Sequence, residues 1–214
     1  MGQLFDKYEK HGAYHWNWYD NNHTGYRDLV DLAISYFPTR GSVLDVGCGD
    51  GLISYRLFEK GLKVLGIDTN AHAIQLANTV CRNKIHGAHP ITHAIQRMLV
   101  LLGITPNKRV DRFSGGELQF RVQSIFDLKE KGYFDYILCH DVIEHVKYPE
   151  QLLERIYVSM ACFAIISTPN GACKKPREYD FQLWTPEEFE ALLHGYRFEV
   201  VHLDKSKMYV KLLK

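Results

Sequence analysis

VLDVGCGDG, at residues 43–51, is the stretch that decides the fold of this chain. An apolar run leads into three glycines at alternate positions, Gly47, Gly49 and Gly51, and a helical pattern follows. Glycine has no Cβ atom, so the backbone can turn sharply there and a ligand can lie against it. The helix that follows offers free N–H groups and the positive end of its dipole. The stretch therefore predicts a strand, a tight turn and a helix that together form a ligand site.

Strands and helices alternate along the rest of the chain. The predicted strands are 42–47, 63–68, 118–124, 133–140, 162–168, 197–203 and 207–213, and the predicted helices are 24–37, 51–60, 71–82, 150–160 and 185–194. Helical crossovers imply parallel strands, and the short polar turn between the last two strands implies an antiparallel hairpin. We therefore expect an α/β fold with a doubly wound, mostly parallel seven-stranded sheet that ends in an antiparallel hairpin.

Two predicted helices begin with residues that are typical of a helix N-terminus. Thr24 is predicted to cap the first helix, and Thr185 with Glu188 forms a capping box at the start of the last one.

Composition bounds the class of protein. The chain has 214 residues, of which 46% are hydrophobic and 24% charged, with a net charge of +1. These values predict a single domain over residues 1–214 and do not call for nucleic acid or an anionic membrane. The five cysteines include no CxxC pair, which argues against a zinc cluster or a disulfide framework and favours the cytoplasm. The chain shows no signal core and no apolar run long enough to span a membrane, so we expect no membrane association.

A carboxylate stands where a nucleoside ligand would need one. Asp68 ends the second predicted strand, and an acidic residue at that position can accept both ribose hydroxyls of an adenosine. The glycine spacing, Gly-x-Gly-x-Gly, is not the G-x-G-x-x-G of dinucleotide-binding dehydrogenases.

At this point the residues resemble a known family. The stretches VLDVGCGDG (43–51), GIDTN (66–70), FDYILCHDVIEHV (134–146) and STPNG (167–171) look like the successive motifs of class I S-adenosylmethionine-dependent methyltransferases with a Rossmann-like fold. Within that class, DVIEHV and REYDFQLWTPEEF (177–189) are similar to ubiquinone-biosynthesis O-methyltransferases and small-RNA 3′-terminal 2′-O-methyltransferases.

The resemblance implies S-adenosylmethionine as cofactor and a set of residues that bind it. They are Asp45, Gly47, Cys48, Gly49 and Gly51 at the methionine half, Asp68 at the ribose, Thr69, Asn70, Ser124 and Ile125 around the adenine, and His140 beside the transferable methyl group. Ser124 departs from the aspartate that is common in the family. Residues 1–40 are expected to form a helical cap over the cofactor, with Arg27 or His15 near its carboxylate.

The acceptor must lose a proton, and two mechanisms compete. In the first, His145 is the base, because imidazole titrates near neutrality, and Glu144 and His140 assist it. In the second, Asp141, Glu144 and His145 share one face of a helical turn and bind Mg²⁺ or Mn²⁺ together with Asp180, as the resemblance to the RNA methyltransferases implies. A purely structural role for these side chains is the third interpretation.

Function and assembly follow as expectations. The leading hypothesis is O-methylation of a small-molecule or sugar hydroxyl. The alternatives are metal-assisted methylation of an RNA terminal ribose, which the lack of a basic stripe disfavours, and a cofactor-binding interaction protein without catalysis. Residues 83–117 form an insertion between the second helix and the third strand, with an amphipathic helix at 91–102, and are predicted to mediate a homodimer or to cover the pocket.

Overall fold

A seven-stranded mixed sheet forms the centre of the computed structural model, which describes residues 6–86, 117–128 and 133–214. The strands are β1 (Ser42–Val46), β2 (Lys63–Asp68), β3 (Leu118–Val122), β4 (Phe134–His140), β5 (Met160–Pro169), β6 (Arg197–Leu203) and β7 (Lys207–Leu213). Their order is β3-β2-β1-β4-β5-β7-β6, with the first five parallel and β7 antiparallel to both of its neighbours. The predicted fold class is therefore confirmed.

Helices cover both faces of this sheet. They are α1 (Lys7–His11), α2 (Tyr14–Asp20), α3 (Tyr26–Ser35), α4 (Leu52–Glu59), α5 (Ala71–His86), α6 (Pro149–Ser159) and α7 (Pro186–Leu192). Short 3₁₀ turns occur at His23–Gly25, Ile125–Asp127 and Ile143–His145.

Strand periodicity explains the two cores. Successive side chains of a strand point to opposite faces of the sheet. Leu44 and Ile137 accordingly pack with α6 on one face, whereas Val43 and Leu138 pack with α3 and α4 on the other. All four side chains are fully buried. Each strand of the sheet centre therefore contributes to both cores, as a doubly wound architecture requires.

Of the two predicted helix caps, one is confirmed and the other is wrong. The capping box is confirmed, because Thr185 Oγ1 accepts from the Glu188 N–H at 3.3 Å and the Glu188 carboxylate accepts from the Thr185 N–H at 2.8 Å. The Thr24 cap is wrong. Thr24 has a φ of 50° inside a 3₁₀ turn, and Gly25 is the N-cap of α3. The side chain that accepts from the first turn of this helix is Asn22, whose Oδ1 lies 3.0 Å from the Arg27 N–H nitrogen.

The chain order reverses between β1 and β4, which sets the place of the site. From β1 the chain goes outward to β2 and β3, then returns to pair β4 with the other side of β1. Ligands of open α/β sheets bind at such a switch point, beyond the carboxyl ends of the strands.

The predicted insertion is only partly described. α5 runs to His86 rather than stopping at residue 82, whereas residues 87–116, with the predicted helix at 91–102, lie outside the described residues. The division of the chain into cap, domain and insertion, and the homodimer, stay predictions. In the described segments, none of the helices combines the length and the apolar character that a bilayer crossing requires.

Candidate functional site

A cavity of about 760 Å³ lies beyond the carboxyl ends of β1, β2 and β4. This volume is in the range of small-molecule and cofactor sites. Its wall is formed by the glycine stretch, the N-terminal helices, the residues after β3 and β4, and a segment after β5 that includes residues 174–181. Segments far apart in sequence therefore meet at the switch point between β1 and β4.

The glycine turn is tied to β2 and has little room for side chains. The N–H groups of Gly47 and Cys48 both donate to the Ile67 carbonyl, at 2.8 and 3.0 Å. Gly47 and Gly49 have φ angles of 69° and 55°, in the left-handed region that favours glycine. A Cβ atom on Gly47 would collide with Val142. Gly47, Cys48 and Gly49 line the cavity, and their N–H groups are bonded to Ile67 and Asp68.

Asp68 holds its carboxylate in the cavity wall. Its Oδ2 accepts from the Gly49 N–H at 2.9 Å and its Oδ1 from the Asn70 N–H at 2.8 Å. Burial raises the pKa of this carboxyl, against the lowering effect of these hydrogen bonds. A carboxylate has about four lone-pair sites, so the group can still accept from a diol.

Two residues expected at the methionine half lie behind the wall. The buried Asp45 carboxylate accepts from Ser54 Oγ at 2.6 Å, and burial raises its pKa to about 7. Gly51 caps α4, and a Cβ atom there would approach Ala77 and Phe120 to 2.8 Å. Neither residue lines the cavity, so their contacts fix the glycine turn from behind.

The four residues expected around an adenine do line the cavity. Two of their polar side chains already serve local turns. Asn70 Oδ1 accepts from the Ala73 N–H at 3.0 Å and caps α5. Ser124 Oγ accepts from the Phe126 N–H at 3.2 Å and caps the 3₁₀ turn. Gln123 and Phe126 line the cavity beside Ser124 and Ile125.

An aromatic wall from α2 and α3 closes one side. His15 anchors it, because its N–H and its Nδ1 lie 3.0 and 3.2 Å from Asp50 Oδ2, while Trp16 Nε1 donates to the Asp50 carbonyl at 2.9 Å. The rings of His15 and Tyr26 are stacked at 5.6 Å. His15 and Arg27 were the two residues expected near the carboxylate of the cofactor. His15 lines the cavity, whereas the Arg27 side chain donates to main-chain carbonyls at the end of α2.

His145 lies in the opposite wall with its Nδ1 fixed. The Tyr179 carbonyl oxygen lies 2.9 Å from Nδ1, and Asp180 Oδ1 lies 3.3 Å from it. A carbonyl oxygen only accepts hydrogen bonds, so Nδ1 carries the proton and Nε2 is the basic nitrogen of the neutral ring. Burial lowers the pKa of His145, against the raising effects of Tyr179 and Asp180. The ring is therefore neutral at neutral pH.

Asp141 and His140 form a separate group at the end of β4. The Asp141 carboxylate forms an ion pair with Lys207 and accepts from Ser167 Oγ at 3.0 Å. The Lys207 ammonium holds the pKa of Asp141 far below its usual range despite the burial of this carboxyl. His140 Nδ1 lies 3.0 Å from the same Ser167 hydroxyl, and burial lowers the pKa of His140 to about 4. His140 is therefore a neutral, cavity-lining hydrogen-bonding group.

Glu144 faces away from the cavity and is fully buried. Its Oε2 accepts from Thr168 Oγ1 at 3.4 Å, and Arg177 lies 3.8 Å from its Oε1. Burial and the nearby Asp141 charge raise the pKa of Glu144 to about 8, so it is mostly protonated at neutral pH. Its place beneath the turn argues for a structural role.

The proposed metal ligands do not fit a metal ion. Asp141 has a φ of 55° and lies outside the 3₁₀ turn Ile143–His145, so the helical face that would unite it with Glu144 and His145 is not formed. Lys207 neutralises Asp141. The Nδ1 atom of His145 carries a proton and lies 3.3 Å from Asp180. In the part of the chain that the structure describes, no three His, Cys, Asp or Glu side chains are arranged as a metal site.

Sequence reasoning missed several residues of this site. Lys207 begins β7, and its pairing with Asp141 had no local signal. Tyr179 contributes a main-chain carbonyl, which the residue type does not reveal. Tyr8 of α1 lies over the glycine turn, where a Cβ atom on Gly49 would collide with its hydroxyl. Sequence signals existed for two segments: the similarity of residues 177–189 pointed to Asp180, and the expected cap of residues 1–40 contains Tyr8.

Comparison with protein families gives a match over most of the chain. A family described as a methyltransferase domain matches residues 18–203. A ubiquinone biosynthesis O-methyltransferase of Xanthomonas axonopodis pv. citri (strain 306) is 28% identical over 136 residues, covering 63% of this chain and 41% of the relative. One from Pasteurella multocida (strain Pm70) is 26% identical over 177 residues, covering 79% and 61%. The chain thus spans about half the length of these curated relatives.

Solved structures share the fold at low identity. The PH0226 protein from Pyrococcus horikoshii OT3 has a TM-score of 0.67 at 19% identity, covering 99% of this chain and 100% of that one. Magnesium protoporphyrin IX methyltransferase from Synechocystis PCC 6803, solved with bound SAM, has a TM-score of 0.61 at 16% identity, covering 98% and 94%. These likenesses extend over nearly the whole chain and concern the fold.

Proposed function

This chain belongs to the methyltransferase domain family as a class I, S-adenosylmethionine-dependent member, and we propose that it methylates a hydroxyl oxygen of a small-molecule acceptor. The observation that carries the proposal is a neutral histidine, His145, whose Nδ1 is fixed by an acceptor-only carbonyl in the wall of the cavity. A phenol or alcohol acceptor needs such a base, because its oxygen reacts faster as the proton leaves.

The cofactor half of the cavity suits an adenosyl sulfonium. Asp68 would accept the ribose hydroxyls, and the main chain of Gly47, Cys48 and Gly49 would lie along the methionine part. Thr69, Asn70, Ser124 and Ile125 would flank the adenine, and His140 would border the methyl group. When bound, S-adenosylmethionine supplies a methyl group that is already activated by its positive sulfur. The protein then has to align the acceptor oxygen and exclude water.

His145 would take the acceptor proton on Nε2. As the ring becomes an imidazolium, its Nδ1–H stays bonded to the Tyr179 carbonyl at 2.9 Å, and the Asp180 carboxylate at 3.3 Å stabilises the positive charge. Asp180 is thereby a positioning residue in our proposal rather than a metal ligand. Glu144 has no part in this step, because its carboxyl is buried away from the cavity.

The alternatives receive less support. Metal-assisted methylation of an RNA ribose would need a metal ion bound by Asp141, Glu144, His145 and Asp180. The arrangement of these side chains does not fit a metal ion. A cofactor-binding protein without catalysis has no need for a histidine whose tautomer is fixed. O-methylation also agrees with the names of the relatives from Xanthomonas and Pasteurella, although their ubiquinone-related substrates are not assigned to this chain. Cytoplasmic localisation remains a prediction.

The test uses the purified full chain. Calorimetry first measures binding of S-adenosylhomocysteine, the demethylated cofactor. Methyl transfer from labelled S-adenosylmethionine to a panel of catechols, phenols and sugars is then followed with and without a chelator. We expect binding and chelator-resistant methylation of oxygen. Failure to bind the cofactor product, transfer to nitrogen or carbon, or chelator-sensitive methylation of an oligoribonucleotide would each contradict the proposal.

A further inference from the structure

The cavity wall carries positive charge that the protein neutralises only in part. Five cationic side chains line the cavity: Lys7, Lys174, Lys175, Arg177 and Lys207. Lys207 is paired with Asp141, and Arg177 Nε lies 3.4 Å from Asp180 Oδ2. Lys7 lies over the ring of Tyr179 at 5.3 Å. Within the described ranges, no carboxylate pairs with the ammonium of Lys174 or Lys175.

The main chain beneath these two lysines is held in place. The N–H of Lys174 donates to the Asn170 carbonyl at 2.9 Å, and the Asn170 side chain donates to the Asp204 carbonyl at 2.7 Å. Gly171 donates to the Trp184 carbonyl at 2.7 Å. The segment is therefore anchored to the β6–β7 turn on one side and to the start of α7 on the other. Two exposed lysines on an anchored segment give the cavity mouth a fixed positive charge.

Apolar surface accompanies this charge. Phe126 and Phe181 are 47% and 60% exposed, and both line the cavity. Large apolar side chains with this exposure gain free energy when a ligand covers them. The Phe181 N–H donates to the Glu144 carbonyl at 2.9 Å, which fixes Phe181 next to the turn that bears His145. The wall of one cavity thus presents an apolar surface, two unneutralised ammonium groups and the base.

We infer that the acceptor is a hydroxylated compound with a planar apolar body and an anionic group, an inference that rests on the proposed function. Its hydroxyl lies at His145 Nε2, its apolar body contacts Phe126 and Phe181, and its anionic group lies at Lys174 and Lys175. Of the other cavity-lining acids, Asp141 is paired with Lys207 and Asp180 with Arg177. Asp50 and Asp68 lie in the cofactor half, where they are bonded to His15 and to main-chain N–H groups. An anionic acceptor is therefore attracted at the mouth rather than repelled.

The experiment compares ligands that differ in charge. The full chain is saturated with S-adenosylhomocysteine, and calorimetry gives the Kd of dihydroxyphenylacetate, of its neutral amide and of cationic dopamine, three catechols of similar shape. Two exposed ion pairs correspond to a preference of about tenfold for the acid over the amide. Dopamine should bind more weakly than the amide. Added salt should reduce the preference, because it screens exposed charges.

Two double variants locate the charge. In Lys174→Ala/Lys175→Ala the ratio of acid to amide affinity should fall from about ten to about one. Arg40→Ala/Lys63→Ala is the matched control: it also removes two exposed cations, but before β1 and at the start of β2, away from the cavity, and it should keep the ratio. Thermal unfolding followed by circular dichroism checks that both variants are folded.

The outcomes separate this inference from the proposed function. A chain that does not bind S-adenosylhomocysteine contradicts the proposed function. A chain that binds it, but binds acid and amide equally or binds no acid, contradicts the anionic acceptor alone. The inference is also overturned if Lys174→Ala/Lys175→Ala keeps the preference, or if a short oligoribonucleotide binds more tightly than the acid and loses affinity in the same variant.

Discussion

The two halves of the cavity are built in different ways. The half against β1 and β2 consists mainly of main chain from the continuous stretch 43–51 and of Asp68, whose carboxylate binds two N–H groups of neighbouring turns. The half around His145 is assembled from the turn after β4 and from Tyr179 and Asp180, which lie more than thirty residues later. One half is a local structure, and the other depends on contacts between distant segments.

This difference predicts how each half responds to change. A main-chain site persists as long as the glycines and the strand ends are in place, so single side chains alter its affinity by limited factors. A side-chain site loses its chemistry when the one basic nitrogen is removed. The two halves should therefore separate in experiments: cofactor affinity reports on the first, and turnover and its pH dependence report on the second.

Removal of the base should have the largest effect. In His145→Ala, turnover should fall by about 100-fold or more, the contribution of general base catalysis, while affinity for S-adenosylhomocysteine changes by less than about threefold. Turnover with the best acceptor of the panel and calorimetry on the same sample measure both quantities. A parallel loss of cofactor affinity would contradict the separation of the two halves.

Removal of the ribose carboxylate should affect the other half. Asp68→Ala should weaken binding of S-adenosylhomocysteine by about 1.5–3 kcal/mol, because charge-assisted hydrogen bonds are lost. The acceptor half should keep its pH dependence, so the acid limb of turnover at saturating cofactor serves as the internal control. Full cofactor affinity in this variant would contradict the assignment of Asp68.

Asp180→Asn should change the pH dependence of turnover as well as its rate. The His145 pKa is lowered by burial, so wild-type turnover should decline only below the usual histidine range as the pH falls. The Asp180 charge opposes that lowering, so its removal should move the midpoint to still lower pH. Turnover should fall by about tenfold, since Nδ1 keeps only the Tyr179 carbonyl. A midpoint that moves to higher pH would contradict the role of Asp180.

Asp45→Asn should have the smallest effect on function. Asp45 lies behind the glycine turn, so cofactor affinity should change by less than about threefold, within the range of an indirect hydrogen-bond effect. Burial raises the pKa of Asp45 in the folded state to about 7, well above the usual value for an aspartate. The folded state therefore binds more protons between these values, and wild-type stability falls as the pH rises through them.

The asparagine variant removes this loss. Its free energy of unfolding, relative to wild type, should rise between pH 4 and pH 7 by on the order of 2 kcal/mol. Denaturant unfolding at several pH values measures the difference. A large loss of cofactor affinity would contradict this assignment and indicate that Asp45 binds the cofactor.

Most of the fold could be predicted from residues that are close together in the sequence. The bounds of β2, β6 and β7 were predicted to the residue, because short runs rich in apolar residues are bounded there by glycine or polar turns. The sequence predicted that Gly47, Gly49 and Asp68 belong to one ligand site, and all three line the cavity. The Thr24 cap failed because Gly25 allowed a left-handed turn before α3, which side-chain propensity does not reveal.

The sequence by itself determined the alternation of strands and helices, the glycine turn and the acidic strand end, because these depend on backbone preferences and on residues close in the chain. Only the tertiary structure decided which side chains of the acceptor half meet. Lys207 neutralises Asp141, Tyr179 sets the tautomer of His145, and Glu144 is buried below the turn. Those contacts join segments whose separation is set by the packing of the sheet, and no periodicity in the sequence records it.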